Sequence, residues 1–168
     1  IEDSAIKAGE LTKQLLGFAR KGKYVMQPME QNANVNKVLQ IITRTFDRAI
    51  EIKTDLDKGL WVIEGDQSQI ENVILNLCLN ARDAISAGGT LRIETFNRDI
   101  RENEITDAPG RSGKFVVLRV QDTGAGISED LRKRIFEPFF TTKEKGKGTG
   151  MGLAMVYGVV KNHDGFIT

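Results

Sequence analysis

The sequence is poor in the residues that usually assign a protein quickly. It has one cysteine in 168 residues, which excludes an internal disulfide and a cysteine-built metal site. Cys78 lies in an apolar helical run, where a small buried hydrophobe is the expected role. The single histidine, His163, follows the last helical stretch in Asn-His-Asp-Gly; a solvated helix-end residue is expected there, not a catalytic one. No run approaches the ~18–20 apolar residues of a membrane span, and no signal peptide is visible. Neither sign of charge dominates: 24 basic against 23 acidic residues leave a net charge of +1. A dedicated nucleic-acid binder carries a clear basic surplus, so no nucleic-acid partner is expected. Repeats and low-complexity tracts are absent. The first residue is Ile1, in what reads as mid-helix, so the chain is expected to be a piece of a longer protein.

What is present suits one soluble domain: 40% hydrophobic and 28% charged residues over a length sufficient for a real core. Residues 2–20 read as a helix whose Leu11, Leu15 and Phe18 form an apolar stripe that must pack on another helix. Gly22 and Pro28 separate it from a new unit. Asn34 is the expected N-cap of a second helix carried by Val35, Val38, Leu39, Ile42 and Phe46. Strand-like runs at 51–56 and 60–63 flank a turn at Asp57, Lys58 and Gly59. Asp66 is expected to cap a strong helix reaching Ile85, with Ile70, Val73, Ile74, Leu77, Ala81 and Ala84 facing the core. Gly88 and Gly89 end it. Further strands are predicted at 90–96 and 115–121, joined by a polar loop around Pro109, Gly110 and Gly113. The pattern predicts an α/β two-layer sandwich, with helices covering one face of a mixed sheet.

Three blocks then stand out in order: DTGAGI at 122–127, FEPFFTTK at 136–143 and GKGTGMGL at 146–153. Glycine lets the backbone adopt positive φ and brings bare N–H groups close to a ligand. Gly146, Gly148, Gly150 and Gly152 do so just before a helical stretch, whose N-terminal dipole suits phosphate oxygens. A flexible loop explains either glycine block alone; the ordered trio points to a nucleotide site. Asp122 closes a strand, and its carboxylate can accept a hydrogen bond from an exocyclic amine, which adenine has and guanine lacks at that place. An Asx-turn is the other use of the same side chain, and Asp-Thr-Gly alone fits both. On the 66–85 helix, Asn76, Asn80 and Asp83 recur at i, i+4 and i+7, within a ~60° arc beside the apolar stripe. Such residues are either a hydrogen-bonded pair bordering the core or ligands for Mg²⁺. Phe136, Phe139 and Phe140 surround Pro138 as core or as a mobile docking surface, and Lys143 and Lys147 are placed to meet phosphates as point charges. The P-loop, the dinucleotide G-x-G-x-x-G after a strand and the protein-kinase H-R-D loop are all missing.

Taken together, the blocks resemble the catalytic and ATP-binding domain of bacterial sensor histidine kinases, members of the GHKL ATPase superfamily. NVILNLCLNARDAI looks like the N box, DTGAGI the first glycine box, FEPFF the F box and GKGTGMGL the second glycine box. The resemblance spans residues 25–168; residues 1–24, with LTKQLLGFAR, resemble the second helix of the dimerisation and phosphoacceptor hairpin. It implies ATP and Mg²⁺ as cofactors, with Asn80 on Mg²⁺ through the nucleotide phosphates, Asn76 nearby and Asp122 on the adenine amine. Gly124 and Gly126 would line the base pocket, and Gly148, Gly150 and Gly152 would hold phosphates under a lid formed by 140–149. Asp83, Ile127, Phe136, Thr142, Lys147, Thr149, Met151 and Leu153 complete the implied nucleotide contacts, and Asn76, Asn80 and Lys143 the catalytic set.

The implied activity is phosphorylation of a histidine, followed by transfer to a response-regulator aspartate. Implied partners are the phosphoacceptor helix of the same protein or its dimer mate and a receiver domain, with the parent a homodimer. The domain is expected in the cytoplasm, whether or not the parent is anchored in the inner membrane. The sequence departs from the family where a basic residue and an aromatic commonly follow the N-box amide: Asp83 and Ala84 stand there, and Arg82 points about 200° from Asn80. The phosphoacceptor histidine and a closing hairpin after Thr168 are also missing. A hydrolase of the gyrase, chaperone or mismatch-repair kind is the alternative, but those relatives carry a water-activating glutamate where this chain has Asn76. A docking module that only senses nucleotide is a third reading.

Overall fold

Along the run that follows Gly89, alternate residues are apolar or small, and the strand they form is the centre of the main sheet. Leu91, Ile93 and Thr95 all point inward and are almost fully buried. The computed structural model describes residues 25–102, 104–105, 109–144 and 148–168. Its elements are β1 (Gln27–Met29), α1 (Gln31–Thr45), β2 (Ile50–Leu56), β3 (Ile63–Gly65), α2 (Gln67–Ala84), β4 (Gly89–Ile100), β5 (Gly113–Asp122), a one-turn α3 (Glu129–Arg132) and α4 (Gly152–Asn162). The helix expected at 2–20, and with it Leu11, Leu15 and Phe18, lies outside the described residues, as do residues 145–147.

The main sheet has the order β2-β4-β5. β2 runs parallel to β4, from Ile50 opposite Gly89 to Leu56 opposite Thr95, and β5 is antiparallel, from Leu91 opposite Asp122 to Ile100 opposite Gly113. A parallel pair requires a long crossover, which α2 supplies while packing over the sheet. α1 and α2 close the core through Val35, Val38, Ile42, Ile74, Cys78 and Ala81 against Ile50, Leu91 and Ile93. Burial in this core pushes the Cys78 thiol up to about 12, so it stays an uncharged packing residue. On the opposite face Glu94 pairs with Arg119 at 3.0 Å, and Arg119 lies over the Phe96 ring. The helices thus cover one face, giving the mixed-sheet, two-layer α/β sandwich.

Local corrections are instructive. α1 begins at Gln31 with Glu30 as N-cap, not Asn34. Asn34 lies on the same stripe as Val35 and Val38, fully buried, and its Nδ2 donates to Met29 Sδ at 3.4 Å. The second strand-like run forms at Ile63–Gly65, beyond its expected place, and does not pair back on β2. It pairs with β1 in a separate two-stranded sheet, where Pro28 needs no ladder donor. The turn between them is as expected: the Gly59 N–H donates to Asp57 Oδ1 at 2.8 Å.

His163 also departs from expectation. Half-buried at the end of α4, its Nε2 accepts the Asp66 N–H at 2.9 Å while Nδ1 lies 2.7 Å from the Val159 carbonyl. The ring is therefore the Nδ1–H tautomer and ties α4 to the start of α2. Asp66 caps α2 as expected, Oδ1 accepting from the Gln69 N–H at 3.1 Å and Ser68 Oγ at 2.7 Å, while Oδ2 takes the Val25 N–H at 3.2 Å. Burial pushes this carboxyl up, but those hydrogen bonds outweigh it and hold it below the usual 3.8. A depressed carboxyl contributes stability above its unfolded value that is lost as pH falls through the folded one. Asp66→Ala should cost about 1 kcal/mol at neutral pH. In urea titrations the gap between variant and parent should narrow at pH 3 relative to pH 7; an equal gap at both would remove the carboxylate from the account.

Candidate nucleotide site

α2 carries polar side chains along one edge of its apolar stripe, and α4 starts where that edge is exposed. Between α2, α4, the end of β5 and the segment around 125–142 lies a cleft of about 1680 Å³. Asn76, Asn80, Asp83, Asp122 and Lys143 line its polar end, while Phe115, Leu118, Val156 and Phe166 line an apolar extension under β5. Among the described residues no group of three or more His, Cys, Asp or Glu side chains converges to hold a metal by itself.

The helix spacing places the amides together, as the sequence predicts. Asn76 Nδ2 donates to the Asn72 carbonyl at 2.9 Å, turning Oδ1 toward α4. There it lies 3.0 Å from where a Cβ on Gly152 would be, so the first turn of α4 abuts this amide. Asn80 Oδ1 accepts from Lys143 Nζ at 3.4 Å, and the same ammonium meets Asp83 Oδ2 at 2.5 Å. Arg82 turns away from Asn80, with Nη2 and Nε on Asp83 Oδ1 at 2.7 and 2.9 Å and its guanidinium over Phe46. Burial pushes the Asp83 carboxyl up, but Lys143 and Arg82 outweigh that and hold it below the usual value.

Asp122 ends β5 and makes the Asx-turn that was one of its two predicted uses. Oδ1 accepts the Gly124 N–H at 2.8 Å, closing an Asx-turn, and Oδ2 takes no hydrogen bond among the described residues. Gly124, expected to line the base pocket, is packed against the end of α2. A Cβ there would stand 2.5 Å from the Ala84 carbonyl oxygen, so its bareness lets the loop dock on the end of α2, where the Ala125 N–H donates to that oxygen. Gly126, with φ of 72°, and the half-exposed Ile127 do line the cleft.

The segment expected to form the lid, 140–149, is described at its two ends. Thr142, Lys143, Gly148, Thr149, Gly150, Gly152 and Leu153 all line the cleft. Lys147 lies outside the described residues. Met151 was expected at the nucleotide but is buried, 1% exposed, because it turns into the core as the N-cap of α4. Gly148 closes on Thr141 and Lys143: a Cβ there would be 2.8 Å from Thr141 Oγ1 and 3.1 Å from Lys143 Cδ. Gly150, at φ of 66°, sits against Phe139, itself at φ of 66° and 62% exposed. Phe136 lines the cleft and stacks on Tyr157 at 5.5 Å, and Arg134 lies over Phe140 at 4.4 Å. The aromatic trio thus divides, two rings packed and Phe139 outward. Tyr157 and the Ala84 carbonyl escaped the sequence reading: the first looks like any helical aromatic, and the second is main chain.

The family model of the histidine kinase-, DNA gyrase B- and HSP90-like ATPases matches residues 65–168. The sensor kinase CckA of Brucella abortus is 40% identical over 99% of this chain and 18% of its own length. The chain thus spans about a fifth of that relative. Among solved structures, the mycobacterial sensor histidine kinase MprB superposes with a TM-score of 0.66 at 26% identity, covering 83% of this chain and 81% of that one. Full-length ShkA in complex with AMPPNP does so with a TM-score of 0.67 at 26% identity, covering 90% of this chain and 31% of that one. With its four motif blocks gathered around one cleft, the chain belongs to the histidine kinase-, DNA gyrase B- and HSP90-like ATPase family, as a catalytic ATP-binding domain of the sensor histidine kinase type.

Proposed function

We propose that this domain holds Mg-ATP in the cleft and presents the γ-phosphoryl to a histidine, from which a response-regulator aspartate later takes it. The observation that carries the reading is the amide at Asn76, set against the first turn of α4. An amide has no basic lone pair with which to take a proton from water, so the position that would activate a hydrolytic nucleophile is silent. The donor set fits the nucleotide. Asp122 Oδ2, which takes no hydrogen bond among the described residues, can accept the adenine amine, and the first turn of α4, whose Gly152 and Leu153 line the cleft, offers the main-chain N–H groups that suit phosphate oxygens.

Mg²⁺ fits as well, since Asn80 Oδ1 already accepts from a cation, the Lys143 ammonium. Asn80 would hold the ion, which when bound neutralises charge on the phosphate oxygens. Lys143 adds a second positive charge from the lid, and Gly148 and Gly150 let the lid backbone approach. The histidine is supplied by a phosphoacceptor helix in the same protein or its dimer mate, and the receiver domain of a response regulator is the later partner. Among the described residues no helix is long and apolar enough to cross a membrane. We place the domain in the cytoplasm, where ATP is supplied.

The test is to incubate the full-length parent with Mg²⁺ and γ-labelled ATP. Label should appear on the protein in an acid-labile, base-stable form, as a phosphohistidine. Rapid release of inorganic phosphate with no labelled protein would establish the hydrolase reading instead.

A further inference from the structure

Asp83 was expected to touch the nucleotide, yet an acid beside the site of triphosphate charge needs another explanation. Its two oxygens are divided. Oδ1 is taken by the Arg82 fork, and Arg82 is itself anchored over the Phe46 ring at 5.4 Å. That fixes the carboxylate plane and aims Oδ2 across α2 at Lys143 Nζ, one helical turn from Asn80. The ammonium then spans Asp83 Oδ2 and Asn80 Oδ1 at 2.5 and 3.4 Å. The stem of Lys143 in turn supports the returning arm of the lid, where Gly148 lies against its Cδ.

We propose that Asp83 is a positioning residue, which through Lys143 fixes both the lid cation beside Asn80 and the backbone of Gly148 where phosphates are received. The proposal rests on the nucleotide reading of the cleft. It assigns the basic function usually sought next to the N-box amide to a lysine brought in from the lid, with Asp83 as its anchor. Lysine carries a compact charge on a flexible stem, so without an anchor its ammonium samples many positions. In protein kinases a helix glutamate likewise pairs with the phosphate-binding lysine. Exposed ion pairs contribute little to overall stability, so the consequence belongs in binding rather than folding.

The experiment is a double-mutant cycle on the full 168-residue chain, with Mg-ATP affinity read by calorimetry. Asp83→Asn should weaken binding by about tenfold, and Lys143→Met by a similar factor. Adding Asp83→Asn to Lys143→Met should change affinity by less than about twofold, because the anchor has nothing left to hold. Asp83→Glu should recover part of the loss. Without nucleotide, Asp83→Asn should speed amide hydrogen exchange at Thr142, Lys143 and Gly148 while the thermal midpoint stays in place. Unchanged or tighter binding by Asp83→Asn would overturn the proposal and leave Asp83 a repelling carboxylate. Full additivity in the double variant would also overturn it, by showing that Asp83 acts on the nucleotide without Lys143. Failure of the unsubstituted chain to bind Mg-ATP would instead strike the site reading itself.

Discussion

Asp122→Asn is expected to weaken Mg-ATP binding by about 10–100-fold while leaving the domain folded. The side chain has two separable duties. Oδ1 accepts the Gly124 N–H at 2.8 Å and shapes the turn, and an asparagine carbonyl can keep that bond. Oδ2 is the free oxygen at the cleft, and in the variant an NH₂ donor replaces it. An adenine amine would then face a donor instead of a carboxylate. Losing a hydrogen bond to a charged partner costs about 1.5–3 kcal/mol, which at ~1.4 kcal/mol per decade gives the stated range. Asp122→Ala removes both duties and should lower the thermal midpoint as well. Calorimetry with ATP and with GTP separates the effects: the asparagine variant should lose its preference for ATP. Unchanged ATP affinity in a folded Asp122→Asn chain would reduce Asp122 to a turn residue and move the base elsewhere.

Much of this site was legible because its signals are local. The apolar period through Val73, Ile74, Leu77 and Ala81 and the cap at Asp66 lie within one helix, and once α2 is known the shared edge of Asn76, Asn80 and Asp83 follows from helix geometry. The misreadings share a different cause. A polar residue ahead of an apolar run reads as a cap, but Asn34 belongs to the buried stripe, and only the fold brings Met29 Sδ to its Nδ2. β1 and β3 are three residues each, too short for a period, and their pairing joins distant segments. His163 finds the Asp66 N–H across 97 positions of sequence, so nothing beside it announces the bond. Gly124 is the sharpest case. A glycine reveals that a side chain is unwelcome, and here the Ala84 carbonyl is a neighbour that excludes one, which no local signal announces. The docking it permits also holds Asp122 and the following loop beside the cleft.

Gly150→Ala should be the most damaging substitution of a single methyl group in the domain. The residue lies at φ of 66°, where a Cβ costs about 1 kcal/mol or more. The methyl would also run into the Phe139 main chain, with the Phe139 carbonyl oxygen 2.6 Å away. Phe139 cannot yield freely, because it too holds a left-handed backbone between Pro138 and the packed Phe140. Relief must come from moving the F-box segment or the start of α4, and α4 is pinned at its first turn by Asn76 and at its end by His163. A total loss of about 3 kcal/mol is expected, or a fall of roughly 6–12 °C in thermal midpoint for a chain of this size. Gly126→Ala is the control: its φ of 72° carries the same backbone cost, but a Cβ there meets nothing within 4 Å. It should lose only about 1 kcal/mol. In Gly150→Ala, Mg-ATP affinity should also drop at temperatures where the chain remains folded, since the clash displaces Gly148 and Gly152, which line the cleft proposed to hold the nucleotide. Equal thermal midpoints for the two variants would mean that Phe139 gives way without cost, and that the left-handed pair does not hold the lid to α4.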